Sequence, residues 1–313
     1  YLDDNDDSGL LEYKKNIIKL SEFIGNGGDG TLVKKLLKKG INPAGEAYKY
    51  QWFEHENQDV RNLYHWSEAY DFTTLTFGNT PFLTEECKKE IKTQLISAIF
   101  ANSFGKYMGV SVLDAGIGYM CGPQSDVVKN SNEYNRLRKI LPKDIDVYEF
   151  VDAFIRILGD NYYYPSNDDM NAHVGKDYAN LKAAVKRHIR NFYGHRYQAN
   201  QDDELNLGNA LMEYLKNHNI IIKDTLDLDI NNLYFRMMTD EKYIECPKCH
   251  RVHPNIGSGF CTKCMEKLDP NNTKEKEKLH EHYISHDILI EKKQPCRLHT
   301  EELSGQTDDI QSR

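Results

Sequence analysis

Apolar residues recur at helical spacing through much of this chain. Leu10, Leu11, Ile17, Ile18, Leu20 and Ile24 form a stripe that predicts a helix over residues 10–24. The glycine-rich run Gly25-Asn26-Gly27-Gly28-Asp29-Gly30 breaks that stripe, and Thr31 to Lys39 predicts a short second helix ending at Gly40. Ile41 to Gly45 reads as a turn. An aromatic stretch follows, with Trp52, Phe53, Tyr64, Trp66, Tyr70 and Phe72. A long helix is expected over 84–100, opened by Thr84, Glu85 and Glu86 and carrying Ile91, Leu95, Ile96, Ile99 and Phe100. Residues 105–122 are punctuated by glycine and read as a turn packed against that helix.

Ser125 to Asp144 is polar and charged, the composition of a linker. Beyond it, helices are expected over 147–158, 178–192 and 205–218. Ile220 to Ile222 then opens a β-like stretch. Leu226 to Ile230 alternates with period two, and Leu233 to Met237 is its expected partner across an Asn231-Asn232 turn. Three helices followed by a small hairpin is the pattern of a winged helix. The expected fold is therefore mainly α with small β elements. It comprises a helical module over 1–124, a winged-helix-like module over 145–238 and a small unit over 240–270.

That third unit is defined by its cysteines. Cys246-Pro247-Lys248-Cys249 and Cys261-Thr262-Lys263-Cys264 are two CxxC knuckles separated by eleven residues. Each knuckle turns tightly enough to point two sulfurs at one centre, and two knuckles complete a tetrahedron around Zn²⁺. Four thiolates leave no position for water, so a structural zinc ribbon is expected, not a catalytic zinc. Such a site contributes on the order of 10 kcal/mol to folding a segment too short to build its own core. His250 and His253 lie between the knuckles and could replace a cysteine, but four sulfurs suffice.

Composition narrows the remaining functions. Formal net charge is −8, so any nucleic-acid contact must be a local patch. The patch suggested by the sequence is Lys182, Lys186, Arg187, Arg190 and Arg196. Lys182, Lys186 and Arg190 are spaced four apart on one helical face, with Phe192, Tyr193 and Tyr197 interleaved. The alternative is a solvated face that balances acids elsewhere. No apolar run approaches the roughly 18 residues of a membrane span, and the acidic start of the chain is unlike a signal peptide. Seven cysteines, four in one cluster, fit a reducing cytoplasmic setting better than a disulfide framework. The chain begins at Tyr1 without methionine, which suggests a fragment of a longer protein. The glycine-rich run at 25–30 lacks the lysine of a phosphate-binding loop and reads as a flexible loop. Asp202-Asp203-Glu204 reads as helix N-terminal charge, and Asp168, Asp169 and His173 as a solvated loop.

The tail carries a family resemblance. Arg297-Leu298-His299-Thr300-Glu301-Glu302-Leu303-Ser304-Gly305-Gln306-Thr307-Asp308 resembles a segment of large superfamily 2 DEAD/DEAH-box helicases of the bacterial antiphage defence type, such as those of Druantia and DISARM. Ser304 stands where that segment usually has threonine. In those helicases a cysteine-rich ribbon precedes the segment, which leads into the second RecA-like domain. Ile41-Asn42-Pro43-Ala44-Gly45 also resembles an upstream element of the same proteins. The resemblance implies that 287–313 begins a truncated second RecA-like helicase domain. It further implies an accessory region of an ATP-dependent DNA helicase or translocase, partnered by DNA and by the RecA-like motor domains of the same parent chain. The chain itself carries neither a Walker A lysine motif nor a DEAD or DEAH box. ATP and Mg²⁺ therefore belong to the presumed parent, and this chain alone is not expected to hydrolyse ATP. A function from a different class, a non-enzymatic zinc-ribbon interaction module, fits the same residues.

Overall fold

A computed structural model describes residues 16–45, 52–54, 63–105, 110–165, 175, 177–196, 201–239 and 242–281. The tail segment and the acidic loop at 168–173 lie outside these residues, so neither expectation meets the structure. Eight α-helices and several small sheets make up the described part, including two two-stranded ribbons, β2 (Trp52–Glu54) with β3 (Leu63–His65) and β4 (Tyr70–Asp71) with β5 (Thr76–Phe77). No described helix is long and apolar enough to cross a membrane.

The organising element is α6, Val147–Asp160, the sixth helix in chain order. Asp146 caps its start by accepting from the backbone N–H groups of Tyr148 and Glu149 at 2.8 and 3.1 Å. Eleven of its fourteen residues are buried, around the whole circumference, so it runs through the core rather than over it. Around it lie α5 (Asn132–Ile140), α7 (Ala183–Arg196) and α8 (Gln201–Asn217), with α8 packed on both α5 and α7. On the N-terminal side lie α1 (Leu20–Ile24), α2 (Thr31–Lys38) and α3 (Glu85–Ser103), the last capped by Thr84 through the Cys87 N–H at 3.2 Å.

Four expectations are corrected. Residues 125–144 are not a linker. Ser125 and Ser131 each cap a helix, α4 (Asp126–Lys129) and α5. Within the charged sequence, Tyr134, Leu137 and Leu141 form a narrow buried stripe that its polarity conceals. The helix expected over 10–24 is described only from residue 16, and there its start is replaced by a strand. Ile17–Lys19 is β1, paired antiparallel to β7 (Tyr234–Met237) with Ile18 opposite Phe235. The wing hairpin is the third correction. β7 does not pair with Leu226–Ile230 but lies between β1 and β6 (Gly118–Cys121). Leu226, Leu228 and Ile230 turn into the core, with Leu228 bridged to Ile221 and the Leu228 N–H donating to Tyr163 O at 2.9 Å. Alternating apolar residues were available for either pairing, and core burial took them.

The sheet β1-β7-β6 therefore joins segments on both sides of residues 125–144, and one apolar cluster runs from Leu20 to Phe260. The glycine-rich run at 25–30 is a packed turn. Asp29 accepts from the Asn26 N–H at 2.7 Å, and a Cβ on Gly28 would meet the Phe77 ring at 2.2 Å. Its glycines serve close approach, so the expectation of a flexible loop gives way to a tight one.

Candidate metal centre and its dock

The cysteine unit is built on β8 (Lys242–Glu245), β9 (Val252–His253) and β10 (Thr273–Glu275), in the order β10-β8-β9. The first knuckle joins β8 to β9. The second lies between Phe260 and Lys267, which form a bridge of their own. The two turns repeat each other bond for bond. His250 N–H donates to Cys246 O, and Met265 N–H donates to Cys261 O, both at 3.0 Å. Cys246 N–H donates to Arg251 O at 3.0 Å, and Cys261 N–H to Glu266 O at 2.8 Å. His250 and Met265, each directly after a CxxC, both take the left-handed conformation, at φ 59° and 64°. That repetition turns both sulfur pairs toward one point.

Cys246, Cys249, Cys261 and Cys264 are free thiols whose sulfurs all lie within 4.8 Å of one another. The closest approaches are 3.4 Å between Cys246 and Cys264 and 3.5 Å between Cys249 and Cys261. A tetrahedron with Zn–S bonds of about 2.3 Å has edges of about 3.8 Å, so the cluster has the size of a four-sulfur site. Burial opposes the Cys246 thiolate, but the backbone N–H groups of Cys249 and Lys248 and the neighbouring thiols outweigh it, bringing that group down to about 7, whereas burial pushes the Cys261 and Cys264 thiols up. The four cysteines can hold a metal ion. Neither histidine belongs to the set. His250 pairs with Glu245 at 2.8 Å, and the buried His253 faces Arg156 at 3.3 Å.

The unit is docked on the helical body by polar groups that the sequence reading missed. Arg251 donates two hydrogen bonds to Asp160, at 2.6 and 2.9 Å, from the residue next to β9 to the last turn of α6. One turn earlier, the buried Arg156 donates to Val252 O at 3.1 Å. The Val252 N–H donates to Asp114 at 3.3 Å. From α7, His188 meets Ser258 at 2.8 Å and the Met265 sulfur at 3.0 Å. Burial lowers His188 to about 3, so it packs as the neutral imidazole. A signal for the dock was present in the sequence. Arg156 and Asp160 stand one turn apart in a mostly apolar helix, and buried charges demand partners.

The basic residues on α7, with Lys182 just before it, divide between two faces. Lys182 donates to Asn161 O at 3.1 Å and lies over the Tyr163 ring, and Lys186 donates to Ala179 O at 2.9 Å. Arg190 is paired with Glu204 at 3.0 Å. Arg187, on a different face, lines a cleft of about 750 Å³ between α6, α7 and the cysteine unit. Arg196 falls in the last turn of α7, where side chains lie outside the described residues. Comparison with protein-family models, with curated proteins and with solved structures finds no match.

Proposed function

We propose that this chain is a nucleic-acid-contacting accessory region of an ATP-dependent DNA helicase or translocase, carrying one structural Zn²⁺ in the Cys246, Cys249, Cys261, Cys264 site. The observation that carries the reading is the docked four-sulfur cluster. A soft, tetrahedral, closed donor set suits zinc as a structural ion and leaves no coordination position for chemistry. Its place just before the Arg297–Asp308 segment is the order the helicase resemblance implies, and antiphage defence enters through that resemblance alone. In this role the zinc unit braces the path from the helical body into the following motor domain, and Arg187 of α7 is among the cations that meet phosphate.

Salt-dependent DNA binding tests the reading. Affinity of the purified chain for DNA should fall linearly in log–log form with salt, by about 0.7 to 0.9 in slope for each phosphate neutralised. Absence of DNA binding at low salt would contradict it. A second reading, a non-enzymatic zinc-ribbon module that recruits another protein, has its own support. Arg190 is already neutralised by Glu204, which weakens the basic stripe as a phosphate surface. Under that reading the chain binds zinc and a protein partner but no DNA.

A further inference from the structure

The cleft between the cysteine unit and the helical body differs in charge from the rest of the chain. Its lining holds five cations, Arg187, Arg251, Lys263, Lys274 and Lys278, against three acids, Asp114, Asp160 and Glu245. This occurs in a protein of formal net charge −8. The acids are all engaged internally. Asp160 holds Arg251, Glu245 holds Lys274 at 2.6 Å and His250 at 2.8 Å, and Asp114 accepts from Ser111 at 2.6 Å and from the Val252 N–H. Arg187, Lys263 and Lys278 are exposed and have no ion pair among the described residues. Arg187 comes from α7, Lys263 from the second knuckle, and Lys278 from the segment after β10, so the free charges come from separate elements around one space. Thr262 also lines that space, and its buried hydroxyl has no hydrogen-bond partner among the described residues.

We propose that this cleft binds the phosphates of a single nucleic-acid strand, with Arg187, Lys263 and Lys278 as the contacting cations. The proposal rests on the nucleic-acid reading above and relocates its contacts from the Lys182–Lys186–Arg190 face to the space beside the cysteine unit. Walls of low dielectric concentrate the field of unpaired cations, which an open helix face does not do. A strand threaded between separate elements, tracked along its backbone, is the arrangement that sequence-independent single-strand binding uses. The cysteine unit then forms one wall of the path, and the metal fixes that wall.

The test uses the intact 313-residue chain and a fluorescently labelled single-stranded DNA oligonucleotide, followed by anisotropy across a salt series. One variant combines Arg187→Gln, Lys263→Gln and Lys278→Gln. The comparison variant combines Lys182→Gln and Lys186→Gln outside the cleft. Metal content and far-UV circular dichroism establish that each is folded. The cleft variant should bind at least about tenfold more weakly, with a salt slope shallower by roughly 2, while the comparison variant stays within about twofold of the parent. Equal binding by parent and cleft variant overturns the cleft and leaves the nucleic-acid reading standing, as does a loss confined to the comparison variant. No binding by the parent overturns both. Inorganic phosphate that binds through the same three residues, where the oligonucleotide does not, identifies a small-anion site and overturns the strand assignment.

Discussion

Arg251 and Asp160 show how much a single pair can decide at the joint between the cysteine unit and α6. Their side chains are only 8% and 18% exposed, so water compensates little if one is lost. The intact pair adds little net stability, because desolvation offsets the attraction. Removing one partner strands the other, which costs about 3–5 kcal/mol for a buried pair. Asp160→Ala should therefore lower the unfolding free energy by about 3 kcal/mol in urea titration, and a change below about 1 kcal/mol would contradict the dock. Asp152, one turn before Arg156, sets a pH dependence. It accepts from the Gly122 N–H at 2.9 Å, yet burial pushes its carboxyl up to about 7. A carboxyl raised above its unfolded value of about 3.9 binds its proton more tightly in the folded chain. Its contribution is complete below pH ~4 and is lost as pH rises through ~7. The stability of the parent minus that of Asp152→Asn should thus fall between these limits, by at most about 4 kcal/mol, and stay level above them. A difference that does not vary with pH would show that Asp152 keeps an ordinary carboxyl value.

At the scale of elements, close approach governs where helices and strands meet. Gly208 on α8 lies under the Tyr178 ring, and a Cβ there would come within 2.5 Å of a ring carbon. Helix propensity alone favours alanine by about 1 kcal/mol. Tyr178 is 1% exposed and its hydroxyl is held by Glu204 at 3.0 Å, so the ring has no room to yield. Overpacking of this kind costs about 1–3 kcal/mol, and Gly208→Ala should lower the melting temperature by a few degrees. A rise would mean that propensity wins. The same scale explains what the sequence disclosed. The helix at 147–158 was legible because its apolar residues crowd every face, and the one at 84–100 because Thr84 and two glutamates mark its start. Helix α5 was hidden, since only Tyr134 and Leu137 are buried along it, inside a run of charges. The position of β7 was illegible for another reason. Its partners, β1 and β6, lie more than a hundred residues away in sequence, and nothing in a local alternation pattern says which strand it joins.

Across the whole molecule, the cysteine unit and the helical body act as coupled parts. The four clustered cysteines were legible outright, because CxxC spacing is itself the geometry of a knuckle. The dock was not, since it depends on Arg251, Asp160, Arg156 and His188 meeting from separate segments. Metal removal should therefore do more than unfold the knuckles. Amide hydrogen exchange after chelation should show residues 242–268 losing protection together with the last two turns of α6, while α3 remains protected. Protection that stays unchanged along α6 would mean that the unit hangs free of the body. All of this depends on the identity of the centre, and zinc K-edge X-ray absorption on the purified chain reads that directly. One zinc per chain with four sulfur neighbours at about 2.3 Å is the expected result. An absence of zinc, or a shell in which nitrogen replaces one or more sulfurs, would contradict it.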